Sequence, residues 1–275
     1  MTTAYTIDDL RYLMQRLRDP RSGCPWDLKQ TYQTIAPYTL EEVYEVIDAI
    51  ERNDLSHLRE ELGDLLFQVI FYSQLGAEQQ IFDFDSVVHG IVEKLVRRHP
   101  HVFPQGTLQS ERDLSDSEDS AAEEAHIKQV WEQIKKQERA DKGERRTLDD
   151  IPAAMPALSR AHKLQKRAAS TGFDWDNKSD VLAKLKEEIA ELEVEIQADN
   201  SLAIEDELGD LLFSCVNLSR HLGIDPERAM RGANNKFQRR FEALEILASE
   251  KNRSEFSQLS LDEMELLWTE VKSAE

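Results

Sequence analysis

The string ELGDLLF stands at residues 61–67 and again, letter for letter, at 207–213, a displacement of 146 residues. A seven-residue identity at that distance commits the chain to a repeated structural unit, and the likeness extends on both sides. Upstream, LEEVYE (40–45) faces KEEIAE (186–191) at the same displacement, and GCPWD (23–27) faces GFDWD (172–176). Downstream, EKLVRR (93–98) faces NKFQRR (235–240), and VWEQIK (130–135) faces LWTEVK (267–272). Two homologous units are therefore expected, over 1–138 and 158–275. The joint at 139–157 is punctuated by Gly143, Pro152 and Pro156.

Both units read as all-α. Thr6-x-x-Asp9 opens a helix whose Ile7, Leu10, Leu13, Met14 and Leu17 share one side, Asp225 caps a helix with Pro226 at its first position, and Ser260-x-x-Glu263 is a second capping box. Leu182, Leu185, Ile189, Leu192 and Ile196 follow a 3-4-3-4 rhythm, as do Ile204, Leu208, Leu211, Cys215, Leu218 and Leu222, which predicts facing helices of a bundle. Stripes this long in units of four or five helices call for another copy to cover them, as a homodimer or a pairing of the two units. The acidic stretch 107–125 has few large apolar residues and is expected to be a mobile loop.

Composition narrows the function. With 34 basic and 54 acidic residues, a net charge of −20 repels nucleic-acid backbones and anionic membranes, but a local cluster of cations can still serve a small phosphorylated ligand. Cys24 and Cys215 form no CxxC pair and suit free thiols in a reducing compartment. No leader or membrane-spanning run is evident, so a cytoplasmic protein is expected.

The acids carry the chemistry. Glu187, Glu188 and Glu191 occupy a flank of one helix, and Glu207 and Asp210 a flank of the next. With a turn near Asn200, Glu191 and Glu207 stand at nearly the same height on antiparallel helices, and Glu45 and Glu61 do the same around Asn53. Carboxylates gathered at one level repel one another and require a cation. Oxygen-only donors favour Mg²⁺, with Mn²⁺ as a substitute, and Mg²⁺ in turn favours a phosphate ester or anhydride as substrate. Gly63 and Gly209, inside the repeated string, suggest a close approach or a helix crossing.

EExxE followed by ExxD, as EEIAE…ELGD, with NKFQRRF downstream and the whole arrangement doubled, closely resembles the MazG nucleoside triphosphate pyrophosphohydrolases over almost the full chain. The resemblance implies the all-α NTP pyrophosphatase fold, a homodimer, Mg²⁺ dependence and hydrolysis of NTP to NMP and pyrophosphate. It also implies broad use of the standard nucleotides and a role in nucleotide-pool cleaning and stress. It places metal ligands on Glu188, Glu191, Glu207 and Asp210, and puts Lys184 and Glu187 beside the phosphates and the attacking water. Lys236 and Arg240 would hold phosphate oxygens, and Trp268 and Lys272 would contact the nucleotide. Trp26 and Trp175 read as aromatic staples at helix entries, or as surfaces on which a base stacks.

The copies are unequal. Glu42, Glu45, Glu61 and Asp64 repeat the acid set as a second metal site, and Lys94, Arg98, Trp131 and Lys135 repeat the rest, but Tyr38 stands where the second unit has Lys184. Pro37 and Thr39-x-x-Glu42 suggest that this helix starts late, with Glu42 tied into a capping box. The second unit is therefore expected to carry the activity and the first to serve assembly. Two alternatives stand beside this reading: a narrow enzyme for one damaged or deoxy nucleotide, and a helical interaction module without turnover.

Overall fold

The computed structural model describes residues 4–111, 120–141, 146–251, 256 and 259–275, and every regular element among them is helical. The chain divides into two compact units, Met1–Lys136 and Gln137–Glu275.

In the first unit, α1 (Ile7–Leu17) is followed by a 3-10 turn (Asp27–Lys29), α2 (Tyr32–Glu51), α3 (Leu55–Glu78) and α4 (Phe84–Arg98), and α5 (Ser120–Asp141) runs across the boundary between the units. The Thr6–Asp9 capping box forms as expected. Helix α2, however, begins at Tyr32 and runs through Pro37, because Thr31 and Thr34 close a capping box upstream. Pro37, at the sixth helical position, removes one backbone bond, and the helix nevertheless continues through it. Thr39 is thus interior to the helix, its hydroxyl meeting Ile35 O and the Tyr72 hydroxyl, and Glu42 carries no capping duty. Met14, Ile35, Ile70, Phe71 and Leu75 form the core between α1, α2 and α3. The buried Arg18 guanidinium grips both Glu78 oxygens, at 2.8 and 2.7 Å, and donates to Asp27 O, which fixes the turn ahead of α2.

The second unit comprises α6 (Ala157–Ala169), α7 (Lys178–Ala198), α8 (Ser201–His221), α9 (Pro226–Glu250) and α10 (Leu261–Ser273). Asp225 with Pro226 and the Ser260–Glu263 box cap α9 and α10 as expected. In both units the long hairpin reverses through a left-handed residue at the equivalent place, Asn53 (φ 56°) and Asp199 (φ 52°). Asn and Asp enter that region at lower cost than most residues. The α9–α10 pair packs on Leu244, Ala248, Leu267 and Val271.

Two further expectations are corrected. The stretch 107–125 is not one loop: α5 begins at Ser120, where SAAEEA consists largely of strong helix formers, while 112–119 lie outside the described residues. Among the described residues Gly63 and Gly209 make no close approach, since a Cβ at either would meet nothing within 4 Å. Gly209→Ala is accordingly expected to stabilise the chain by about 0.5–1 kcal/mol in denaturant melts, through helix propensity alone. A destabilised variant would mean that another surface presses on that face.

Candidate active site

Asn177 caps α7 by accepting from Asp180 N, and the α7–α8 hairpin then brings Glu188, Glu207 and Asp210 together, each offering a carboxylate oxygen within 4.8 Å of the others. Glu188 is only 4% exposed, Glu207 is half-buried and Asp210 is exposed. A carboxylate buried as deeply as Glu188 needs a counter-charge. Lys184, one turn earlier, supplies it at 2.9 Å and also meets Glu187 at 2.8 Å and Glu191 at 3.9 Å. Glu191 is thus turned toward Lys184 and stands outside the triad.

Hydrogen bonds to Glu187 and then Glu188 hold the Lys184 ammonium well above the usual lysine range, so it stays charged at any working pH. Desolvation, followed by the charges of Glu191, Glu188 and Asp210, pushes Glu207 above the usual glutamate range. One lysine cannot neutralise five acids. The triad, oxygen-only and partly shielded from water, fits a hard divalent cation such as Mg²⁺.

The sign of the Glu207 shift gives a prediction. A carboxyl whose folded pKa is raised costs stability once ionised, so that cost is absent below the unfolded value, about 4.3, and grows as pH rises through the folded one. Glu207→Gln is expected to melt higher than the parent in EDTA at neutral pH and to match it near pH 4. Equal melting temperatures at both pH values would contradict the strain assigned to this cluster.

The basic and aromatic residues lie on the other helix pair of this unit. Arg240 Nε and Arg239 Nη2, on α9, each donate at 2.9 Å to Glu275, whose carboxyl these guanidinium groups, Arg240 foremost, pull down to about 2. Trp268 is half-buried, packed on the α9–α10 core with its ring 5.6 Å from that of Phe237, while Lys236 and Lys272 are exposed. In the structure, Arg240 is therefore engaged with Glu275 and Trp268 with the core.

Arg220, His221 and Asn217, which the sequence reading did not single out, hold the loop carrying Trp175. Asp174 of GFDWD accepts from Arg220 Nη1 at 2.9 Å and lies 3.0 Å from His221 Nε2, and Asn217 braces Arg220 at 3.1 Å. Trp175 remains 42% exposed, more open than a buried staple. Its counterpart Trp26 is 50% exposed and meets Tyr38 edge to face at 5.9 Å.

In the first unit Glu42, Glu45 and Glu61 form the triad, within the same 4.8 Å, and Asp64 stands outside it. Its charge still reaches Glu42, which desolvation, then Asp64 and Glu45, push above the usual range. Lys94 is half-buried on α4, which also carries Arg98. Lys135 pairs with Glu132 at 2.9 Å and lies over the Trp131 ring at 5.3 Å. The hairpin also carries His57, 3.2 Å from Glu61, and the buried Gln68, neither of which the sequence reading named.

Two helical units, each with a carboxylate triad across its central hairpin, define an all-α protein of duplicated design among the described residues. The model of the MazG nucleotide pyrophosphohydrolase domain matches the chain twice, at 30–103 and 177–244, and the chain belongs to that family. The chain is 48% identical over 271 residues to the nucleoside triphosphate pyrophosphohydrolase of Escherichia coli K12, covering 98% of each. It is 39% identical over 269 residues to the nucleoside triphosphate pyrophosphohydrolase/pyrophosphatase MazG of Thermotoga maritima, covering 98% of this chain and 96% of that one.

Proposed function

We propose that this chain hydrolyses nucleoside triphosphates to nucleoside monophosphate and pyrophosphate, at a site built on the α7–α8 hairpin of its second unit. The observation that carries this reading is the juxtaposition of Glu188, Glu207 and Asp210 with Lys184 in a chain of this family. Glu188, Glu207 and Asp210 would hold Mg²⁺, with Glu191 and the exposed flank completing its surroundings. Bound there, Mg²⁺ neutralises phosphate charge and eases deprotonation of a water molecule.

The chain's own residues do the rest. Lys184 would offer a fixed positive charge to the phosphates, and Glu187, 2.8 Å from Lys184, would orient an attacking water and accept its proton. Water oxygen bonds to the α-phosphorus, the α–β bridging bond breaks, and pyrophosphate leaves. Lys236, Arg240, Trp268 and Lys272 take the nucleotide's outer phosphates and base, Arg240 after parting from Glu275. Broad use of the standard ribo- and deoxyribonucleoside triphosphates fits a role in cleaning the nucleotide pool. A homodimer is part of the proposal, supported by apolar residues left open on the hairpins, such as Leu182, Ile189, Leu208 and Leu212 in the second unit. Among the described residues no helix is long and apolar enough to cross a membrane.

Hydrolysis in ¹⁸O-labelled water tests the reaction. The label is expected in the monophosphate and absent from pyrophosphate, whereas orthophosphate as the first product would reject the assignment.

A further inference from the structure

Glu188 serves two partners. Its Oε1 lies 2.9 Å from the Lys184 ammonium, and its carboxylate also belongs to the triad with Glu207 and Asp210. At 4% exposure it has little water to spread that charge. Lys184 reaches Glu187 at 2.8 Å and Glu191 at 3.9 Å as well, so three acids lean on a cation that belongs to the chain. The lysine side chain is 34% exposed, and its flexible four-carbon stem lets the ammonium change partners without disturbing α7.

The first unit shows that this ammonium is not what assembles the acids. Glu42, Glu45 and Glu61 gather within the same 4.8 Å although Tyr38 stands at the equivalent place, where its ring meets Trp26 edge to face at 5.9 Å. What Lys184 adds is charge. A divalent ion held through Glu188 has the ammonium as a like-charged neighbour, and the two compete for one buried carboxylate. The oxygens of a polyphosphate offer the ammonium a different anion, and once drawn to them it no longer opposes the ion.

We propose, on the metal and phosphate reading of the α7–α8 hairpin, that Lys184 couples the metal to the substrate: paired with Glu188 it weakens the second unit's hold on a divalent cation, and a bound polyphosphate, by drawing the ammonium off, restores that hold. Linkage makes the effect reciprocal, so ion and polyphosphate each raise the other's affinity by the same factor. Lys184 thereby acts on the ion through Glu188, as a positioning residue, besides its contact with the phosphates. The ion is held firmly only when there is a triphosphate to act on.

Mn²⁺ alone is the first probe, titrated by electron paramagnetic resonance into the full chain carrying Glu45→Gln and Glu61→Gln, which silence the first triad. Adding Lys184→Met, which keeps the stem and removes the charge, is expected to tighten Mn²⁺ binding about tenfold or more, with helical content by circular dichroism unchanged. Lys184→Tyr, which installs the residue found at 38, should act in the same direction. The second probe is the α,β-methylene analogue of ATP, whose α–β bridge resists hydrolysis. The factor by which it tightens Mn²⁺ binding, after allowance for Mn²⁺ held by the analogue in solution, should fall about tenfold in both Lys184 variants. Weaker or unchanged Mn²⁺ binding in those variants, or an undiminished effect of the analogue, would overturn the coupling and leave Lys184 as a plain support for Glu188, with the metal reading intact. Mn²⁺ bound by none of these chains would overturn the metal reading and the coupling together.

Discussion

Glu207→Gln in the full chain is expected to lower pyrophosphate release about a hundredfold or more, while Glu61→Gln, the same change at the equivalent place in the other copy, leaves most activity. Both substitutions keep size and remove charge, and both side chains sit at matching heights on their hairpins. What separates them is the neighbourhood: Glu207 faces Glu188, which is held by Lys184, whereas Glu61 faces His57 and has no such lysine one turn away. Steady-state assays on the two variants decide the matter. Equal losses would mean that both copies turn over, or that one site draws on both, and the division of labour between the units would fail.

The second large effect is at Lys184. Lys184→Ala is expected to reduce kcat/KM by about two orders of magnitude, as removal of a preorganised charge at a phosphoryl site does, and Lys184→Arg to recover only part, since a planar fork cannot replace a compact ammonium between Glu187 and Glu188. Tyr38→Ala, at the equivalent position, should leave turnover near the parent value. A Lys184→Ala variant within about threefold of the parent would remove the lysine from the phosphate site.

The repeat, the helical class and the caps at Thr6, Asp225 and Ser260 were legible because each rests on local chemistry written in consecutive residues. The heights of the acids followed from helix geometry and a turn position, and each hairpin does assemble carboxylates where the count placed them. Which acids meet was not legible. Glu191 turns to Lys184, and Asp64 and Asp210 fall differently in two copies of one string, because rotamers answer to neighbours far away in sequence. The start of α2 was misread because Pro37 is a strong local signal, whereas the helix is capped at Thr31, six residues before it, and runs on through the proline. His57 and Gln68 differ from their counterparts Ala203 and Ser214, and nothing in the residues around them in sequence signals what they touch.

The clasp of Arg239 and Arg240 on Glu275 has a consequence for any anion that reaches α9. Its apparent affinity is the intrinsic one scaled by the share of time for which the carboxylate has let go. Glu275 stands two residues past the last helical residue of α10, so it can depart without unwinding a turn. An incoming group no better than a carboxylate gains nothing by the exchange. On the proposed reading a polyphosphate, with several charges to spend on one guanidinium pair, would gain, and Glu275 would then favour such a group over a simple carboxylate or monoanion.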